Sequence, residues 1–314
     1  MQPSLLQFNL RTAFNSLSKP FSRSPATGAA PTSAAAAASS KATAAAASSK
    51  ADYTAAAASG RTMPVTHVPA DSLALSTPTR WLTSRFHFDF AGVTARRTNF
   101  GALRVVNDDL VTRRAGFGAH PHRNAEIYSY IVSGQLSHQD SMGNYESLGR
   151  GCVQYLSAGT GITHSEMNDG DATCRFLQVW VTPDRTGHPP QYGSATYEKQ
   201  DRHNKLLHLL GGTGAVPQWS GIQPGQCIKL HQDVNVFVSE SDPAVQHDIT
   251  LAAGRQAYLV CIEGSLAVGT SDSETKLSMR DAAELVADKK PLYLSLTAGE
   301  QGAHFMLIEM KQAL

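Results

Sequence analysis

The residues best suited to chemistry fall in two short stretches. The first, residues 118–134, reads "GAHPHRNAEIYSYIVSG" and holds His120 and His122 one residue apart, with Glu126 four further on. Alternate residues of a strand share a face about 6.5–7 Å apart, so His120, His122, Glu126, Tyr128 and Tyr130 are expected on one side of a regular strand. Two imidazoles at that separation can both reach one metal at about 2.1 Å per bond. The second stretch, "SAGTGITHSEM", carries His164 and, two residues later on the same face, Glu166; Gly159 and Gly161 permit a tight turn before them. If the two strands are neighbours across a small barrel, three neutral imidazoles and a carboxylate converge. Such a set suits Fe(II), Ni, Mn, Co, Cu or Zn, and ligand types alone do not choose among them. Either pair alone would more often mark hydrogen-bonded histidines, but two pairs at matched spacing, each beside a glycine turn, point to metal.

Strands must carry such a set, and the pattern past the first 65 residues supplies them. Short apolar or alternating runs such as "EIYSYIVSG", "RFLQVWVTP", "QAYLVCIEGSLAVG" and "HFMLIEM" are separated by Gly, Asp, Asn and Pro, which predicts an all-β sandwich or barrel. One short connecting helix is expected in "YEKQDRHNK". The Gly/Pro-rich segment 211–225 is the candidate linker between a first β domain, residues 78–210, and a smaller one, residues 226–314. Tyr128 and Tyr130, with Phe176, Gln178 and Trp180 on a later strand, would suit a flat aromatic ligand, although plain core packing is the more frequent reason for any single one of them.

The segments "FGALRVVNDD", "GFGAHPHRNAEIYSYIVSGQLSHQDSMGN" and "GCVQYLSAGTGITHSEM" resemble the signature segments of the pirins, within the cupin superfamily. The resemblance runs from about Trp81 to the C-terminus, strongly to Pro183, and looks closest to bacterial pirin-like quercetin 2,3-dioxygenases. It implies two cupin β-barrels, a bicupin, with metal ligands at His120, His122, His164 and Glu166. One divalent metal, Fe(II) first among the candidates, is implied, as is opening of the heterocycle of a flavonol such as quercetin with O2 and loss of carbon monoxide. Glu166 would double as the base that takes the flavonol proton. Glu126, a ligand in many other cupins, is expected to orient an imidazole or to be a weaker fifth ligand. Ser133 and Cys152 stand where the family often has acids; neither is a ligand position. In the second domain Thr250, Ala252 and Gln256 occupy the places of His120, His122 and Glu126, so no metal site is expected there. His304 is read as an ordinary strand histidine, and His138 as structural, although it could border the cleft. The alternative function is an iron-dependent, pirin-like binding or regulatory protein without committed catalysis.

Composition sets the remaining bounds. Four cysteines without CxxC spacing disfavour a zinc ribbon or a disulfide framework. A formal charge of +1 gives no case for nucleic acid, and no apolar run reaches the roughly 18 residues of a membrane span. A soluble monomer is expected. Residues 1–65 start with an Arg-bearing amphipathic stretch, lack acids before Asp52 and continue as an Ala/Ser tract. That is the profile of an organelle transit peptide, chloroplast or mitochondrion, with a cytoplasmic protein as the alternative.

Overall fold

The computed structural model describes residues 63–312; the leader expected over residues 1–65 lies almost wholly outside the described residues. Within them the chain is all-β, as expected, apart from a 3-10 turn at Ala70–Ser72 and one helical turn at Lys199–Arg202.

Three sheets form. A seven-stranded sheet runs in the order Gln191–Ala195, Val153–Ser157, Glu126–Ser133, Cys174–Val181, Leu103–Val111, Leu82–Phe86, Ala74–Thr79. A four-stranded sheet runs Ala115–His122, Ile162–Asn168, Leu136–Asp140, Tyr145–Leu148. The third, nine-stranded, holds the strands after residue 222 together with Leu206–Gly211 and Val65–Val68. The strand just before the Gly/Pro-rich segment thus pairs with Val234–Ser241 and Ile222–Lys229, and the first strand of the described chain with Ala282–Ala287. Backbone hydrogen bonding, not composition, draws those memberships.

Strand Glu126–Ser133 is buried on both faces up to its last residue, which places its sheet in the middle of the molecule. Its inner face, Ile127, Ser129 and Ile131, looks toward the four-stranded sheet, because Ser129 reaches Glu166 across the gap. Its outer face, Tyr128, Tyr130 and Val132, packs with Val260, Ile262, Met306 and Ile308 of the nine-stranded sheet in one apolar cluster. Tyr130 and His304 share a hydrogen bond of 2.9 Å across that boundary.

The expectation that His120, His122, Glu126, Tyr128 and Tyr130 share a face is therefore corrected. Alternation cannot be counted through residues 123–125, where Asn124 adopts φ 50° and the chain leaves one sheet for another.

Ala257, Leu259 and Cys261 of strand Arg255–Gly269 join Phe237, Phe305 and Leu307 in one apolar cluster. In the first half the apolar residues on the face toward the four-stranded sheet fall in two clusters, one around Ile131, Leu136 and Phe176 and one around Ile127, Leu156 and Ile162. A polar layer lies between them.

Candidate metal centre

The polar layer is built from the two strands of the histidine motifs. Ala115–His122 and Ile162–Asn168 pair antiparallel, with His120 opposite His164 and His122 opposite Ile162. The register slips between His164 and Glu166, which puts Phe117 rather than Gly118 opposite Glu166. The turn into His164 depends on Gly159, with φ 45°, where a Cβ would lie 2.0 Å from the carbonyl oxygen of His188.

His120, His122 and His164 converge: their ligand nitrogens all lie within 4.8 Å of one another, and all three residues are buried. Among the described residues no other group of His, Cys, Asp or Glu meets in this way. His120 donates from Nδ1 to the Gly118 carbonyl at 2.7 Å, since a carbonyl only accepts; Nε2 then carries its lone pair. Nε2 of His164 is buried without a hydrogen-bond partner. Burial, and then the neighbouring His120, pushes His122 down to about 3. Burial, followed by the surrounding imidazoles, holds His164 well below its ordinary range. Neutral rings with a buried orphan nitrogen are what a divalent transition metal needs, so the residues present fit one.

Glu166 stands apart from the triad. It is buried beside His164 along a small cavity, and its carboxylate accepts from Ser129 Oγ (3.0 Å), Gln154 Nε2 (2.7 Å) and Gln178 Nε2 (2.7 Å). Three neutral donors satisfy three of about four lone-pair directions of a carboxylate. Ser129, Gln154 and Gln178 come from adjacent strands of the central sheet. Ser129 and Gln154 escaped the sequence reading, which sought ligand types; the available signal was a lone polar residue centred in each of "YSY", "VQY" and "LQV".

Other expected residues fall as follows. Trp180 packs edge-on against His122, ring centroids 4.7 Å apart, so it and Gln178 do face the site. Phe176 sits in the adjacent apolar cluster. Tyr128 has its hydroxyl 3.9 Å from Met306 Sδ and Tyr130 bonds His304, so neither hydroxyl serves the triad. Glu126 does not orient a triad imidazole: its carboxylate accepts from Tyr155, Ser157 and the His231 backbone on the other face of the sheet. His138, read as structural, lies against His164 with the two Nδ1 atoms 3.4 Å apart.

Residues 70–181 match the family model described as Pirin, and residues 220–310 the one described as the quercetinase C-terminal cupin domain. The quercetin 2,3-dioxygenase of Escherichia coli strain K12 is 33% identical over 199 residues, 62% of this chain and 80% of that protein. A pirin-like protein of Caulobacter vibrioides is 32% identical over 230 residues, 73% and 92% of the two chains. The bacterial pirin YhhW of Escherichia coli in complex with nickel(II) superposes with a TM-score of 0.67 and 27% identity, covering 79% of this chain and 100% of that one.

Two expectations change. These relatives are bacterial proteins, which have no organelle to enter, so the organelle transit peptide is withdrawn. The preference for Fe(II) finds no support, since the metal named in the related structure is nickel(II). With both family models matched in order along the chain, and full-length relatives above 30% identity, the chain belongs to the pirin family.

Proposed function

We propose that this chain is a metal-dependent dioxygenase that opens the heterocycle of a flavonol such as quercetin with O2, holding one divalent transition metal through the triad His120, His122 and His164, with Glu166 beside His164 as the fourth ligand that the family resemblance implies. The observation that carries this reading is the buried, unpartnered Nε2 of His164 beside the imidazoles of His120 and His122. The name of the Escherichia coli relative supports the substrate class.

When bound, a divalent metal lowers the pKa of a hydroxyl that reaches it and keeps a position open for that hydroxyl. The protein supplies the rest. The Glu166 carboxylate takes the proton of the flavonol 3-hydroxyl, and Ser129, Gln154 and Gln178 fix its orientation by donating to it. Trp180, against His122, offers an apolar wall for a flat ring. The electrons that reduce O2 come from the flavonolate, so no external reductant enters.

The test is O2 consumption with quercetin by chain loaded with Ni, Fe, Mn, Co or Cu, beside Glu166→Gln. The variant is expected to keep most of its metal and lose about 10²-fold or more in turnover, the scale for a positioned base. If no loaded form consumes quercetin or O2, the dioxygenase reading fails.

A further inference from the structure

His164 meets a second set of side chains at its Nδ1 edge. Asp140 ends the strand Leu136–Asp140, and its carboxylate caps the hairpin that follows. It accepts from the backbone N–H of Met142 (2.9 Å) and of Asn144 (3.1 Å), and from Asn144 Nδ2 (2.8 Å). The same carboxylate lies 3.0 Å from His138 Nε2, and both side chains are fully enclosed. A carboxylate already accepting three donors makes Nε2 of His138 the proton-bearing nitrogen. Its Nδ1 is then a lone-pair acceptor, 3.4 Å from Nδ1 of His164, the long end of hydrogen-bonding distance.

The His138 ring cannot turn away. It stacks on Tyr192 with centroids 4.4 Å and planes 18° apart, and Tyr192 is itself fixed by donating to Glu146 at 2.9 Å. Its strand neighbours are Glu166 on one side and Glu146 on the other, so the backbone seats it directly beside the second motif.

We propose that His138, held by Asp140, is the positioning residue that sets His164 as its Nδ1–H tautomer and so aims the Nε2 lone pair into the triad. The assignment rests on the metal-site reading above, and it gives His138 a role beyond packing. A metal-bound histidine whose other nitrogen is anchored loses less freedom on binding, and removing such anchors typically weakens affinity about 10–100-fold.

The experiment uses the full chain, metal-free and labelled with 15N-histidine, and reads tautomers from long-range 1H–15N correlations near neutral pH. His164, assigned by loss of its signals in His164→Asn, is expected to be protonated at Nδ1 and His138 at Nε2. His138→Phe, which keeps a ring against Tyr192 but has no acceptor, is expected to move His164 toward the Nε2–H form. Its Ni(II) affinity should fall about 10–100-fold with the stoichiometry still one. An Nε2–H tautomer at His164 in the wild-type chain overturns the proposal, and needs no variant to fold. Unchanged tautomer and unchanged Ni(II) affinity in His138→Phe overturn it as well. The two readings separate cleanly: Nδ1–H at His164 without any Ni(II) uptake sinks the metal site and leaves the tautomer assignment standing. Uptake of one Ni(II) with His164 protonated at Nε2 sinks the tautomer assignment alone.

Discussion

His122 sits at the junction of the triad and the aromatic wall, so it is the residue whose loss should be felt most simply. His122→Ala should abolish stoichiometric metal, read by Ni(II) titration, while circular dichroism stays β-rich, because an open catalytic site contributes less to folding than a closed structural one. Asp109 offers a test of the same interior without metal. Burial, then the charges of Asp108 and Glu166, push it up to about 8, so it folds as a neutral acid. Its unfolded pKa is near 3.8, and the unfolded chain therefore binds fewer protons across the window from about 4 to 8. Stability contributed by this residue falls as pH rises through that window. Asp109→Asn should accordingly raise the melting temperature of the metal-free protein, and by more at pH 8 than at pH 5. The three histidines were legible in the sequence because ligand types at spacing two declare a strand face. Ser129 and Gln154 were not, because a serine or glutamine inside an apolar run looks the same whether it caps a carboxylate or bonds its own backbone.

At the scale of the element, strand Glu126–Ser133 separates two jobs residue by residue. Ser129→Ala removes a donor to Glu166 and should change turnover and metal affinity with little loss of stability. Tyr130→Phe, one residue along, removes the bond to His304 and should cost about 1 kcal/mol in denaturant unfolding with the metal site untouched. If Tyr130→Phe instead alters metal affinity, the assignment of faces is wrong. The sequence shows that this run is a strand and buried, but not which face looks where. That parity is decided at residues 123–125, where the left-handed Asn124 carries no signature distinguishing a turn between sheets from a bend within one. Deleting one residue there would swap the two sets of side chains and place Tyr128 and Tyr130 in the polar layer.

Across the whole molecule, charged pairs fasten the central sheet to the nine-stranded one. Arg175 grips Asp108 through two bonds of 2.8 and 2.7 Å and donates to the Ile262 carbonyl at 2.9 Å, while Arg280 reaches the same carboxylate from the other half. Burial pushes Asp108 up, but the two guanidiniums outweigh it and hold its carboxyl below the usual range. Arg175→Met should destabilise the protein, by less than the about 3–5 kcal/mol of breaking an isolated buried pair because Arg280 still reaches Asp108, read by denaturant unfolding. A different consequence follows from the pairing of Val65–Val68 with Ala282–Ala287. During synthesis at about 5–20 residues per second, the first strand waits roughly 10–40 s for its partner to leave the ribosome. The histidine layer can assemble early in that interval, while the outer face of its sheet, with Tyr128 and Tyr130, stays bare until Leu292–Lys311 is made. The nascent chain therefore passes through a stage in which the histidine layer is in place and the protein is still sticky, which is when a chaperone would matter most.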